Sequence, residues 1–191
     1  MEKKSEFKGI PGYIVNRRNI KYPRLEFRTG SLQLILPIGY SKEKELIEKH
    51  SQWIRNKNLI IQKAWGESRT KRIDDRRTKQ DLRNLVSSLV AEYQSDLGTR
   101  ISKVMLRKMK TKWASHSQNH NLTINTLLKY LPKTLIEYVT YHEMAHAKLG
   151  RKHDANFWTL VKMKYPDHQT KEAELLAYWF LIQEKLGGER S

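Results

Sequence analysis

An α+β fold follows from three features of the 191-residue sequence. Apolar residues alternate with period two near the N-terminus, they recur with helical period further on, and strand-like segments return between two groups of helices. The first strands fall in residues 13–37. Leu25 and Phe27 alternate with charged neighbours, Thr29-Gly30 supplies a turn, and Leu32, Leu34 and Leu36 alternate again before Pro37. Ser41 reads as the N-cap of a helix through about Gln62, with Leu46, Ile47, His50, Trp53, Ile54 and Ile61 on one face. Residues 66–77 are charged, lack periodicity and read as a connector.

Thr78 and Asp81 form a capping pair for a second helix whose stripe is Leu82, Leu85, Val86, Leu89, Tyr93 and Leu97, with Gly98 ending it. Strands near 101–109 and 121–128 flank a polar stretch containing Trp113, His116 and His120. Pro132 opens a helix at about 133–149 that Gly150 closes. Further helices run from about Asp154 to Tyr165, stopping before Pro166, and from about Thr170 to Leu186, ending at Gly187-Gly188. The organisation is therefore an N-terminal strand-and-helix region (1–65), a connector (66–77) and a larger domain (78–191).

Composition narrows the function classes. Charged residues make up 30% and hydrophobic residues 38%, with mean hydropathy −0.75 and the apolar residues in periodic blocks, which describes a globular chain and not a disordered one. No apolar run approaches the roughly 18 residues of a membrane span, and the N-terminus leads into no signal-peptide core, so the expected address is cytoplasmic with no membrane partner. There is no cysteine, so any metal must be held by histidine and carboxylate. The net charge of +17 is spread along the chain and attracts polyanions, which makes nucleic acid a possible partner.

The chemistry lies in His142-Glu143-Met144-Ala145-His146, an H-E-x-x-H sequence. Histidines four apart on a helix point to the same side and can reach one ion, while the intervening Glu is placed to take a proton from water. With 7 histidines in 191 residues, this spacing is a poor candidate for coincidence. The helical stripe Leu135, Val139, His142, His146, Leu149 puts both imidazoles where core residues would otherwise sit. A catalytic zinc needs a third protein ligand and an open position. His153 is one candidate, since Gly150 can turn the chain back beneath the ion. Glu172 and Glu174 are the competitors, on the last helix. Asp154 can cap the following helix or orient a ligand. His116 and His120 read as loop residues, either of which could otherwise serve an oxyanion. His50 reads as a core histidine and His168 as a surface loop residue. The stretch Trp113 to Ser117 is expected to form an edge strand bordering the cleft, preceded by Lys103, Arg107, Lys108, Lys110 and Lys112 with no acidic residue among them.

Tyr138-Val139, the H-E-x-x-H, His153, Phe157-Trp158 and Tyr165-Pro166-Asp167 together resemble the YgjP-like metallopeptidases. His153-Asp154-Ala155-Asn156-Phe157 also looks like the related WLM and SprT-like proteases. The basic hairpin of residues 15–37, the Trp53-Ile54 helix and the Trp113 segment have family counterparts too. The resemblance implies a zincin-like core, a small antiparallel sheet packed on helices, acting on a peptide or protein substrate. It implies a zinc ion on His142, His146 and His153, with Glu143 as base. Some relatives in the wider group act on proteins crosslinked to DNA. Where the family usually has Trp-Gly-Ser-Cys, this chain has Trp113-Ala114-Ser115-His116, so no role carries over to position 116. The expected activity is zinc-dependent peptide hydrolysis. The alternative is a basic nucleic-acid-binding protein whose metal is structural and non-catalytic.

Overall fold

The structure, a computed structural model, describes residues 2–4, 7, 9–10, 12–28 and 30–187. The chain forms two compact units, Met1–Arg69 and Thr70–Ser191.

The first unit contains β1 (Glu2–Lys4), β2 (Tyr13–Arg18), β3 (Arg24–Arg28), β4 (Ser31–Pro37), α1 (Glu43–Lys49) and α2 (Ser51–Ser68). Its sheet has the order β1-β2-β4-β3. The expected hairpin joins β3 and β4, with Leu25 opposite Leu34 and Phe27 opposite Leu32. Gly30 takes φ +81°, the left-handed region the turn requires; Thr29 lies outside the described residues. β4 also pairs with β2 in parallel, which makes it an inner strand. That is why its alternation is incomplete: Ile35 and Gln33 are buried as well as Leu32, Leu34 and Leu36, and Gln33 accepts a 2.8 Å hydrogen bond from Asn16.

The helix expected from Ser41 is two helices, broken at His50, whose N–H is shared between the carbonyls of Leu46 and Ile47. Lys42 and not Ser41 occupies the N-cap, without a side-chain bond. The second helix continues past Gln62 to Ser68, so three residues of the expected connector are helical, and His50 is half-buried at the break.

The second unit begins with an extended stretch and then α3 (Lys79–Leu97). Thr78 Oγ1 accepts from the N–H of Asp81, and the Asp81 carboxylate accepts from the N–H of Thr78, so the capping box forms as the sequence indicates. Gly98 ends the helix at φ +60°. Three strands follow: β5 (Lys103–Arg107), β6 (Ala114–His116) and β7 (Asn121–Asn125). The sheet order is β5-β7-β6. The α+β class is as expected, but both sheets are mixed and not antiparallel, since β5 pairs with β7 in parallel while β6 pairs with β7 antiparallel. The strand expected to reach residue 128 stops at Asn125, whose side chain accepts from the N–H of Leu127 and starts a 3-10 turn, Thr126–Tyr130.

Three helices complete the unit: α4 (Lys133–Leu149), α5 (Ala155–Lys164) and α6 (His168–Gly187); Gly188 lies outside the described residues. Leu82, Val86 and Tyr93 of α3 share one buried cluster with Leu135, Ile136 and Tyr138 of α4, Leu122 and Ile124 of β7, and Phe157 and Val161 of α5. The core thus holds α4 between α3 and the sheet. Among the described residues no helix is long and apolar enough to cross a membrane.

Candidate active site

The α4 stripe expected to be buried along its length leaves the core at its C-terminal end. Leu135 and Val139 are buried, whereas Leu149 is 41% exposed, and His142 and His146 face a cleft of about 580 Å³. Gly150, at φ +88°, stops the helix, and its N–H bonds the carbonyl of His146 at 2.9 Å. The reversal brings His153 back to the two histidines. His153 Nε2 lies 3.0 Å from His142 Nε2 and 3.1 Å from His146 Nε2.

Hydrogen bonding shows what this cluster can hold. Nδ1 of His146 lies 2.8 Å from the Gly150 carbonyl. A carbonyl only accepts, so the proton sits on Nδ1 and the lone pair of Nε2 faces the cluster. Three imidazole nitrogens packed this closely cannot all be satisfied by sharing protons. Their spacing is close to the roughly 3.4 Å separating donors bound tetrahedrally at about 2.0–2.1 Å. The residues therefore fit a metal ion, and these three side chains form such a donor group.

Aromatic packing fixes the rings. The Asp154 carboxylate accepts from the N–H of Phe157 at 3.1 Å and starts α5 there. Phe157, fully buried, then lies under all three imidazoles: stacked on His146 with centroids 4.4 Å apart, and edge-on to His142 and His153 at 5.0 and 4.7 Å. Trp158 stacks on His153 and also packs against His168, with centroids 5.2 Å apart. His168 is 6% exposed, so it belongs to this support and not to a surface loop. Its neighbours Pro166 and Asp167 suggest a turn, and only the tertiary packing of Trp158 reveals the burial.

Glu172 and Glu174 are not brought to the imidazole cluster. Glu174 pairs with Lys71 at 2.9 Å. Glu172 accepts a 2.6 Å hydrogen bond from the Tyr138 hydroxyl and stands 3.7 Å from Nδ1 of His142, the nitrogen facing away from the cluster. That nitrogen is buried without a hydrogen bond, since 3.7 Å is too long for one. Burial, reinforced by His146 and His153, holds the His142 imidazole down to about 3, well inside its neutral range. His146 is also lowered, chiefly by burial.

Glu143 lies beside the histidines, lining the same cleft. Burial pushes its carboxyl up to about 7, against the opposing influence of a hydrogen bond from the backbone N–H of His116 and the charge of Lys112. The N–H of His116 belongs to β6, so the sheet's edge strand touches the acid directly. β6 borders the cleft through Ala114, Ser115 and His116, as the Trp113 to Ser117 expectation had it. Nε2 of His116 is buried without a partner; His120 is exposed in the turn at φ +52°.

The loop before β6 is held by a residue the sequence gives no reason to single out. Asn125, completely buried, donates to the carbonyls of Met109 and Lys112 at 2.9 and 2.7 Å and accepts from the N–H groups of Met109 and Leu127. An asparagine at the end of a strand looks like a turn residue; its long-range role depends on the loop folding over it.

Residues 55–178 match the YgjP-like metallopeptidase domain, a span that takes in α3 to α5, all three strands of the second unit's sheet and the first half of α6. The chain belongs to the YgjP-like metallopeptidase family. Among solved structures it is similar to the metallopeptidase zymogen of Pyrococcus abyssi abylysin, 27% identical over 53% of this chain and 95% of that one, with a TM-score of 0.43. It is also similar to the metallopeptidase zymogen of Methanocaldococcus jannaschii jannalysin, 24% identical over 47% and 90%, with a TM-score of 0.42. No curated protein matches. The imidazole cluster, Glu143 and β6 all lie within the matched metallopeptidase domain.

Proposed function

We propose that this metallopeptidase is zinc-dependent, with His142, His146 and His153 holding the ion and Glu143 acting as general base. The observation that carries the reading is the convergence of three Nε2 atoms beside a buried carboxylate in an open cleft. Zinc on three imidazoles supplies a Lewis acid that polarises a peptide carbonyl and makes water nucleophilic near neutral pH.

The chain's own groups account for the rest. Glu143 takes a proton from the attacking water and passes it to the leaving amine nitrogen, so one carboxyl serves as base and then as acid. The His116 N–H holds that carboxylate in place. β6, with β7 on one side, offers its free edge to an extended peptide, whose main chain can hydrogen-bond there. Phe157 keeps the imidazole rings in register with one another.

Glu143→Gln is the test. The zinc-loaded variant is expected to retain its metal and its fold, and to lose peptide hydrolysis by at least two orders of magnitude, because the amide cannot accept the proton. Parental turnover in that variant would show that another group is the base.

A further inference from the structure

We infer that the cleft selects peptides carrying carboxylates within a few residues of the scissile bond, read by Lys112 and Arg151. This rests on the peptidase reading of the cleft, and deepens it by naming the substrate class.

Lys112 and Arg151 both line the cleft, and among the described residues its sole acid is Glu143. Lys112 acts on Glu143 through its charge without forming an ion pair, and Arg151 pairs with no described carboxylate. Their backbones are held in place. The Lys112 carbonyl accepts from buried Asn125 at 2.7 Å, and Arg151 follows Gly150, whose carbonyl and N–H are both bonded to His146. Each charge therefore has a fixed root, one leading into β6 and one leaving the histidine helix.

Their places along the cleft also fit a peptide. Lys112 stands two residues before the start of β6, and Arg151 lines the same cleft just after the end of the histidine helix. A peptide extended along the three residues of β6 rises about 3.3 Å per residue, so a few residues carry it along the cleft that both cations line. A neutral or basic peptide brings no carboxylate to either cation. An acidic one gains attraction at two exposed cations at once, each pair modest by itself because water reaches both.

The carboxylate could belong to an internal Asp or Glu or to a peptide's C-terminus, and separate arms of one experiment distinguish them. Zinc-loaded Glu143→Gln protein is titrated by fluorescence anisotropy with three peptides: C-terminally amidated with two Glu residues, its Gln counterpart, and the Gln peptide with a free C-terminal carboxylate. The same set is offered to the active parent for kcat/KM. The acidic amidated peptide is expected to bind about tenfold more tightly than the Gln peptide. Lys112→Glu and Arg151→Glu are each expected to cut that ratio about fivefold. Because the readout is a ratio, general loss of function cancels. Arg83→Glu with Lys103→Glu, exposed positions outside the cleft, makes a larger change in net charge and is expected to leave the ratio alone.

Equal binding of the three peptides, or a ratio that survives both cleft reversals, overturns the inference, as does a ratio that falls as far in the Arg83/Lys103 control. Preference for the free carboxylate alone replaces internal acids by the C-terminus. Acid-selective binding without cleavage by the parent supports the inference and refutes the peptidase reading. Cleavage without acid preference does the reverse.

Discussion

Replacing Asn125 by Ala should loosen the cleft without touching a residue that faces it. The side chain makes four hydrogen bonds, two donated to the carbonyls of Met109 and Lys112 and two accepted from the N–H groups of Met109 and Leu127. At about 1 kcal/mol net each, their loss costs about 4 kcal/mol. Lys108, Lys110 and Lys112 are exposed, so water reaches part of the loop once it opens and the expected loss is nearer 3 kcal/mol. Asn125→Asp keeps the two accepted bonds but sets a buried carboxylate oxygen against the Met109 and Lys112 carbonyls, so it should cost at least as much as Asn125→Ala. Urea unfolding followed by tryptophan fluorescence reads both, since Trp113 packs edge-on against Trp179 at 4.9 Å and reports on the same loop. The loop carries Lys112 and leads into β6, so KM for peptides should rise several-fold while zinc content stays at the parent level. An Asn125→Ala protein within about 0.5 kcal/mol of the parent and with unchanged KM would refute the assignment.

Two further outcomes follow from the same geometry. Glu172→Gln removes the charge beside Nδ1 of His142 and should weaken zinc binding about tenfold in chelator competition. Parental affinity would leave Glu172 no part in orienting His142, and complete loss of zinc in Glu172→Ala would make it a ligand. Thr78→Ala removes one side of the α3 capping box and should lower the urea stability of the second unit by about 1 kcal/mol; no change would show that the box is replaced by water at no cost.

Local chemistry made much of this chain legible. Thr78 with Asp81 and then Gly98 bracket α3, and Pro132 with Gly150 bracket α4, because caps and glycines act on their own neighbours. The H-E-x-x-H spacing and the turn at Gly150 pointed to the imidazole cluster for the same reason. The family resemblance drawn from the residues around it agrees with the matched domain. What could not be read depends on partners far away in sequence. The break at His50 has no proline or glycine to announce it. The parallel pairings of β2 with β4 and β5 with β7 are long-range choices that alternation does not encode. Gln33 and Asn16 are polar residues within strands, yet both are buried and pair with each other between the neighbouring strands β4 and β2. Asn125, Glu172 and His168 gain their roles from side chains tens of residues distant or from rings packed across helices.

Whether His142, His146 and His153 hold a catalytic zinc is decided by a crystal structure of the zinc-loaded protein with data collected at the zinc absorption edge. A single anomalous peak is expected in the cleft, with the Nε2 atoms of His142, His146 and His153 each about 2.0–2.1 Å from it and Glu143 outside the coordination sphere. A peak bound by Glu172 in place of His153, or no peak at these histidines in protein shown to contain zinc, would contradict the assignment.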